Sequence, residues 1–183
     1  MSHQPLDTRH AIIIVSGMQG AGKTTVGRLL ARRFAHGVYV GADDLHKMIV
    51  SGGEWKSQRG PEDEPDRQLR LRLHNACLLG ASCYDAGFTA VLDDIIIGAR
   101  VQHLLDELAG RPFLFVMLTP SLDSVRVREA GRGTHLHEAW GWMDDEIRTG
   151  TPRLGLWIDS SAQTAEQTVD EIMRRVWDEG VVA

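Results

Sequence analysis

The chain has 183 residues, of which 43% are hydrophobic, and a formal net charge of −5. This length is typical of one domain with its own core. The acidic balance argues against a general nucleic-acid binder, and no apolar run reaches the roughly 18 residues that a membrane-spanning helix needs. The polar N-terminus lacks the pattern of a signal peptide. We therefore expect a single domain over residues 1–183, located in the cytoplasm and without a membrane partner.

Cysteine use supports the same compartment. The two cysteines, Cys77 and Cys83, lie within one predicted helix. Their separation is not a metal-ligand spacing, and we do not expect a structural disulfide between them. The pair is typical of free thiols in a reducing cytoplasm.

Apolar, strand-like runs alternate with helical patterns along the sequence. The predicted strands are residues 11–16, 38–42, 89–97, 113–119 and 155–159. The predicted helices are residues 23–35, 43–51, 64–86, 99–109, 121–131, 136–149 and 163–178. This alternation is typical of a parallel sheet with right-handed crossovers and helices on both faces. The predicted fold class is therefore α/β, a three-layer sandwich around a five-stranded parallel sheet.

The first strand leads into a phosphate-binding loop. Residues 17–24 read GMQGAGKT, which matches G-x-x-x-x-G-K-[ST] between an apolar run and a helical pattern. Glycines let backbone N–H groups close around phosphate oxygens, while Lys23 can reach the β- and γ-phosphates and the Thr24 hydroxyl can bind Mg²⁺. The helix that follows points the positive end of its dipole at the phosphates. The predicted cofactors are ATP and Mg²⁺, and the predicted nucleotide-binding residues are Gly17, Gln19, Gly20, Ala21, Gly22, Lys23, Thr24 and Thr25.

The second strand runs into two acidic residues, Asp43 and Asp44. Ligands of parallel sheets bind beyond the carboxyl ends of the strands, so an acid here would lie close to the γ-phosphate. It could accept the proton of a substrate hydroxyl and orient its oxygen. Aspartate is also a favoured N-cap, and these acids can instead cap the helix that begins at Leu45. We expect Asp43 to be the base and Asp44 to be the weaker candidate.

A segment rich in glycine, proline and charge follows, and it predicts a substrate-facing excursion over about residues 46–75. Acceptor specificity is expected to reside there. The candidate acceptor contacts, each of which is also typical of an ordinary surface residue, are His46, Lys47, Trp55, Arg59 and Arg67. On the lid side, Trp140 and Trp142 can cover a lipophilic acceptor or pack in the core.

The third strand contains Asp93 and Asp94 within an apolar run. Two acids in such a run are costly unless they face a cation or hydrogen-bond donors. A P-loop protein places its Mg²⁺-binding acid at this point of the chain. Because neighbouring side chains of a strand point to opposite faces, the two cannot share that role, and alternation does not tell which one holds the metal.

A basic cluster follows the fourth strand. Residues 126–133 read RVREAGRG, and the final Gly-Arg-Gly is typical of a hinge. Phosphoryl transfer develops charge on oxygens that an arginine arriving with a closing lid can stabilise. We expect a small lid over about 126–150, with Arg128 and Arg132 in catalytic roles; the alternative is an exposed basic helix face. The turn at 158–161 can cover the adenine base or simply begin a helix.

These segments resemble, in order and spacing, the small P-loop kinases of the chloramphenicol phosphotransferase-like family. The matching segments are GMQGAGKT, VGADDL, LDDIIIGA, REAGRG and WIDSS. The resemblance implies a P-loop kinase-type fold, Asp43 as the residue that activates the acceptor hydroxyl, and Arg128 and Arg132 as lid arginines. That family usually has Gly-Lys-Ser where this chain has Gly-Lys-Thr. GADDLH, GRLLARRF and an Asp-Arg pair also resemble gluconate kinases in part, but LDDIII replaces their Cys-Ser-Ala-Leu-Lys segment.

The predicted function is transfer of the γ-phosphoryl group of ATP to a hydroxyl of a small molecule, such as an antibiotic in a resistance role or a related metabolite. A regulatory GTPase would need Asn-Lys-x-Asp and Asp-x-x-Gly motifs, which the sequence lacks, and a motor ATPase would need a longer chain. Three alternatives stay open: a sugar-acid kinase, a non-catalytic ATP-binding module, and a polynucleotide 5′-hydroxyl kinase, although residues 60–66 are acidic. The sequence identifies neither the acceptor nor the oligomeric state, so a homo-oligomer is left open.

Overall fold

The computed structural model describes residues 6–55, 63–130 and 141–182. The strands are β1 (Ile12–Gly17), β2 (Gly37–Gly41), β3 (Thr89–Asp93), β4 (Phe113–Leu118), β5 (Leu156–Ile158) and β6 (Val181–Val182). The helices are α1 (Lys23–Ala31), α2 (Ala42–His46), α3 (Glu64–Asp85), α4 (Arg100–Glu107), α5 (Leu122–Ala130), α6 (Trp142–Asp145), which continues into a π-helical turn (Glu146–Gly150), and α7 (Ala165–Glu179). None of the helices in the described ranges is long and apolar enough to cross a membrane.

The sheet has the strand order β2-β3-β1-β4-β5, and these five strands are parallel. Val15 of β1 and Gly41 of β2 both lie opposite Asp93 of β3. The carboxyl ends of the three strands therefore meet at one edge, where Gly17 and Asp43 follow directly in the chain. Because a parallel sheet binds its ligands at this edge, the register brings the predicted site residues together.

The central strands are apolar on both faces because both faces are covered. Every residue of β1 and of β4 is buried. Helix α1 packs on α7, and α3 packs on α4. Continuous apolar runs are typical of such two-sided strands. Burial of a side chain as large as Phe115, which is fully enclosed, stabilises the fold by about 1.5–3 kcal/mol. The predicted α/β sandwich with a parallel sheet is confirmed.

The structure differs from the sequence prediction at several places. The helix predicted at 43–51 ends at His46, and the helix predicted at 23–35 ends at Ala31. Strand β3 ends at Asp93 rather than at residue 97, and the chain leaves the sheet there to follow the edge of the site. A sixth strand, β6, pairs antiparallel with β4; two residues are too few to produce a recognisable pattern. The predicted helix at 136–149 is described only from residue 141 onward, as α6 and its π-helical continuation.

Candidate active site

The phosphate cradle, residues 17–24, has a backbone that requires glycine. Gly17 has a φ of 149°, and a Cβ atom placed on it would lie 2.7 Å from the carbonyl oxygen of Leu118. Gly22, with a φ of 94°, adopts a left-handed conformation at the N-cap of α1. Side chains other than hydrogen are strained at such a backbone angle. The loop can therefore wrap tightly from β1 into α1 and present its N–H groups to an anion.

Lys23 lies inside this cradle. Its Nζ donates a hydrogen bond to the carbonyl oxygen of Met18, at 3.0 Å. Removal from water lowers the pKa of Lys23, while the charges of Asp93, Asp94 and Asp43 raise it. The lysine thus lies within the electrostatic reach of all three carboxylates. A phosphate group bound in the cradle would offer the same ammonium a stronger acceptor than a neutral carbonyl.

Asp93 contacts the cradle directly. The Thr24 hydroxyl donates to Asp93 Oδ2 at 2.9 Å, and the Tyr39 hydroxyl donates to Asp93 Oδ1 at 3.0 Å. Burial raises the pKa of Asp93, and Lys23, Thr24 and Tyr39 oppose that rise. The threonine hydroxyl and the carboxylate are hard oxygen ligands. Mg²⁺ in phosphate sites uses one or two such protein ligands and fills its other positions with water and phosphate oxygens.

Thr24 and Asp93 suit a Mg²⁺ ion that binds together with a nucleotide. Across the described ranges, no three histidine, cysteine or acidic side chains cluster as a metal site of protein ligands alone would need. Thr24 and Asp93 supply two oxygens at the mouth of the cradle. The arrangement is therefore suited to a cation that binds together with phosphates rather than independently of them.

Asp94 has different surroundings, although it is the next residue. It forms a buried ion pair with Arg72 of α3: Arg72 Nε donates to Asp94 Oδ2 at 3.3 Å, and Arg72 Nη2 donates to Asp94 Oδ1. The backbone N–H of Ile95 also donates to Asp94 Oδ1, at 2.6 Å. Both oxygens of Asp94 are thus bound by protein donors. The two acids point to different partners, as strand alternation predicts.

Arg72 was not predicted as a site residue, and it links two residues that were, Asp43 and Asp94. Its Nη1 donates to Asp43 Oδ1 at 3.1 Å, and its side chain is only 4% exposed. Asp43 itself is more than half exposed on α2. Nothing in the helical pattern of residues 64–86 marks Arg72, because its buried position depends on partners that are distant in the sequence. A buried charge of this kind requires such partners.

Asp44 lies apart from this cluster. Its carboxylate pairs with Lys47 at 3.2 Å and with Arg28 at 3.4 Å, and all three side chains are exposed. The alternative that these acids cap the second helix is wrong, because α2 begins at Ala42 with Gly41 as its N-cap and has no side-chain cap. Asp43 and Asp44 both lie in the first turn, and only Asp43 faces the cradle.

The predicted acceptor contacts have varied surroundings. His46 is buried, its ring lies 4.0 Å from the ring of Trp55, and neither ring nitrogen has a partner among the described residues. Arg67 is exposed and binds Glu64. Arg59 and Trp140 lie outside the described residues, whereas Trp142 packs partly buried against the core.

Gln68 was also missed by the sequence analysis, and it holds the loop after α2. Its side chain accepts a hydrogen bond from the backbone N–H of Glu54 and donates one to the carbonyl oxygen of Gly52, each at 2.8 Å. These two bonds fix the backbone immediately before Trp55 to α3. The position of the Trp55 ring beside His46 thus depends on a helix that also carries Arg72.

Arg128 lies between the cradle and the loop that follows β5. Its guanidinium donates to the carbonyl oxygens of Ser160 at 2.6 Å, Gln163 at 3.5 Å and Ala21 at 3.5 Å. In this structure it therefore contacts the loop predicted to cover the adenine base, and its role over the transferring phosphoryl group stays a prediction. Arg132 lies outside the described residues. The helix after this loop begins at Ala165 behind the capping residue Thr164.

One cleft combines the predicted groups. It is lined by Gln19, Gly20, Gly22, Lys23, Thr24, Thr25, Asp43, Asp93, Asp94 and Ile95. Gly17 and Ala21 lie behind this surface: Ala21 is buried, and Gly17 shapes the turn. The cleft thus places a phosphate cradle, a candidate metal-binding pair and a candidate base on one continuous surface.

The fold and this cleft together define a P-loop protein of the kinase type. A sequence model of the protein family described as "AAA domain" matches residues 13–149, and the chain belongs to that family. No curated protein sequence matches the chain.

Solved structures similar to this chain include several kinases. The tunicamycin resistance protein of Deinococcus radiodurans is 19% identical, with a TM-score of 0.66, and the match covers 96% of this chain and 99% of that one. A gluconokinase from Sinorhizobium meliloti is 20% identical, with a TM-score of 0.63, over 94% and 97% of the two chains. The APS kinase of Mycobacterium tuberculosis, solved with AMPPNP and APS, is 16% identical, with a TM-score of 0.64, over 92% and 98%. At these identities the likeness is one of fold.

Proposed function

We propose that this protein is an ATP-dependent kinase that transfers the γ-phosphoryl group to a hydroxyl of a small molecule. One observation carries the proposal: the Asp43 carboxylate lines the same cleft as Lys23, Thr24 and Asp93. A protein that only binds ATP needs no additional base facing the phosphate cradle. A kinase needs one, because an acceptor hydroxyl must be oriented and must lose its proton.

In this proposal the cradle binds the phosphates, and Lys23 balances their charge. Thr24 and Asp93 hold Mg²⁺, because their oxygens are 2.9 Å apart at the mouth of the cradle. Bound Mg²⁺ neutralises negative charge on the phosphate oxygens. We assign no metal role to Asp94, since both of its oxygens accept hydrogen bonds from Arg72 or from the backbone.

Asp43 acts on the acceptor. The acceptor oxygen forms a bond to the γ-phosphorus while the bond from that phosphorus to the β–γ bridging oxygen breaks. ADP leaves, and the hydroxyl proton passes to Asp43. The hydrogen bond from Arg72 to Asp43 Oδ1 leaves the other carboxylate oxygen available to the acceptor. Arg128 and Arg132 are proposed to stabilise the transferring group when the lid closes.

We further propose that the protein is one of the chloramphenicol phosphotransferase-like kinases and that its acceptor is an antibiotic or a related metabolite. The support is the resemblance of the cradle, of the Asp43 segment and of the lid segment, together with the shared fold of a tunicamycin resistance protein.

Direct detection of a phosphorylated product tests this function. The protein would be incubated with Mg²⁺ and ATP against phenicols, nucleosides, aminoglycosides, sugar acids and a 5′-hydroxyl oligonucleotide, with products identified by mass spectrometry. We expect one class of small molecule to gain a phosphoryl group with the release of one ADP for each product molecule. If ADP forms only with inorganic phosphate, or not at all, the protein is an ATP hydrolase or an ATP-binding module.

A further inference from the structure

The guanidinium of Arg72 is already bound to a carboxylate of the protein. Its Nε and Nη2 both donate to Asp94, and the two side chains are 4% and 7% exposed. This two-pronged edge is the part of an arginine that recognises carboxylate or phosphate groups. The remaining contact, from Nη1, is to Asp43. An anionic acceptor can therefore take the Nε–Nη2 edge of Arg72 only if it displaces Asp94.

The lining of the cleft carries more carboxylates than cations. Its lining within the described ranges contains three carboxylates, Asp43, Asp93 and Asp94, and one cation, Lys23. The phosphates of a bound nucleotide use that cation and add negative charge. Arg100, which also lies close to Asp94, is 3.4 Å from both Asp66 and the carbonyl oxygen of Ile95. Within the described ranges, the arginines beside Asp43 and Asp94 are thus already engaged by protein oxygens, and an anionic acceptor would have to compete with these carboxylates for them.

An uncharged surface lies beside the same cluster. The Trp55 indole is 53% exposed, its ring is 4.0 Å from the ring of His46, and the Arg72 guanidinium carbon lies 5.9 Å from its centre. Aromatic rings with a few polar groups nearby are typical of small-molecule sites. The unpartnered nitrogens of His46 can serve a hydroxyl of the ligand if Trp55 shifts on binding. Such a surface suits a neutral compound better than an anion.

We infer that Asp94 is a specificity-determining residue that excludes anionic acceptors, so that the acceptor is an uncharged or positively charged hydroxyl compound. This inference rests on the proposed kinase function. Sugar acids and phosphorylated or sulfated nucleosides are then rejected as acceptors. Neutral and amino-bearing hydroxyl compounds are accepted. The physical reason is that the Asp94 carboxylate already binds the edge of Arg72 that the acidic group of an anionic acceptor would otherwise bind.

Matched acceptors test the inference through turnover. The panel would consist of trios that share a carbon skeleton and differ in one neutral, carboxylate or amino substituent, such as the open-chain compounds glucitol, gluconate and glucamine. We expect the wild type to favour the neutral or amino member by at least tenfold in kcat/KM. Asp94→Asn should reduce or reverse that preference, because the amide carries no negative charge and has one acceptor oxygen fewer, so that the charge of Arg72 is less fully balanced and attracts a carboxylate. An anionic best acceptor for the wild type overturns the inference, and so does an unchanged preference in the variant.

A binding measurement separates failure of this inference from failure of the kinase function. The protein would be saturated with Mg²⁺ and a non-hydrolysable ATP analogue, and gluconate would be titrated by calorimetry into the wild type, Asp94→Asn and the control Asp85→Asn. Asp85 pairs with Arg111 on an exposed surface, so its loss removes an ion pair without altering the cleft. Gluconate is expected to bind Asp94→Asn at least tenfold more tightly than it binds the other two proteins.

Each result then decides one question. Absence of any phosphorylated product refutes the kinase function, whereas equal gluconate affinity in the wild type and Asp94→Asn refutes the role of Asp94. Should Asp94→Asn not fold, the wild type decides alone: tight binding of gluconate, or gluconate as the favoured acceptor, overturns the inference, and absence of gluconate binding supports it.

Discussion

Asp93 and Asp94 are adjacent in the sequence and both are buried, but their carboxylates bind different partners. Asp93 accepts hydrogen bonds from Thr24 and Tyr39, and Asp94 is paired with Arg72. The sequence could predict that the two acids separate, since side chains alternate along a strand. It could not predict which acid faces the cradle, because the answer depends on the register of β3 against β1 and on an arginine that lies 22 positions away from Asp94.

Also at the residue scale, burial of the Cys77 thiol predicts how stability depends on pH and how slowly the thiol is alkylated. Burial raises the pKa of the Cys77 thiol to about 12 from an ordinary value near 9. The folded state therefore holds the proton more strongly than the unfolded state does. The contribution of this thiol to stability is complete below pH 9 and falls as the pH rises toward 12. At pH 8 we expect Cys77 to react with iodoacetamide at least a hundredfold more slowly than an exposed cysteine, because the thiolate is the nucleophile.

The measurement uses the Cys83→Ser variant, in which Cys77 is the single remaining cysteine. Its alkylation would be followed by mass spectrometry in buffer and in a concentration of urea that unfolds the protein. The thiol should react at an ordinary rate only in urea. Rapid alkylation in buffer at pH 8 would contradict the burial of Cys77.

At the scale of elements, helix α3 connects the acceptor side of the cleft to the sheet. It carries Gln68, which binds the loop before Trp55, and Arg72, which binds Asp43 and Asp94. The sequence predicted the helix within one residue of its observed limits because its apolar positions follow helical spacing. It gave no sign of Arg72, since a basic residue on a helix is usually exposed. The residues that organise a site are the hardest to predict where their burial depends on distant contacts.

The N-terminus of α7 provides a prediction about stability. Thr164 and Gln167 form a capping box, in which the Thr164 hydroxyl accepts from the Gln167 N–H at 3.2 Å and Gln167 Oε1 accepts from the Thr164 N–H at 2.9 Å. Loss of an N-cap side chain typically costs about 1 kcal/mol. Thr164→Ala should therefore lower the free energy of unfolding by about that amount in urea denaturation. Thr164→Ser is the control, because serine retains the hydroxyl and the cap.

For the stability prediction, the slope of the urea transition should stay the same in all three proteins, since the cap does not alter the surface exposed on unfolding. A Thr164→Ala protein as stable as the wild type would show that the capping box contributes nothing measurable. An equally large loss in Thr164→Ser would show that the methyl group, rather than the hydroxyl, stabilises this turn.

At the scale of the whole molecule, the sheet was predictable because its strands are buried on both faces. The runs at β1 and β4 are apolar throughout, and an alternation with helices predicts a parallel sheet. Short elements were not predictable: β6 has two residues, and the π-helical turn at Glu146–Gly150 has no sequence pattern of its own. Arg132, which was predicted to be a lid arginine, lies outside the described residues, so its role rests on the sequence alone.

The fold also explains why the acceptor cannot be predicted from architecture. A gluconokinase, a tunicamycin resistance protein and an APS kinase share this fold at 20%, 19% and 16% identity. One fold can carry many sites, and function depends on the side chains grafted onto it. In this chain those side chains lie on α2, on α3 and at the end of β3, where Asp43, Arg72 and Asp94 meet.

The most direct test of the account compares Asp43→Asn with Asp44→Asn. The two residues are neighbours in the first turn of α2, but only Asp43 lines the cleft, whereas Asp44 pairs with Lys47 and Arg28 in solvent. The measurement is the rate of ADP release with Mg²⁺, ATP and the identified acceptor. We predict that Asp43→Asn lowers acceptor-dependent turnover by about a hundredfold or more, as the loss of a general base can, while Asp44→Asn stays within about twofold of the wild type. Equal turnover in the two variants would contradict the assignment of Asp43 as the base that activates the acceptor.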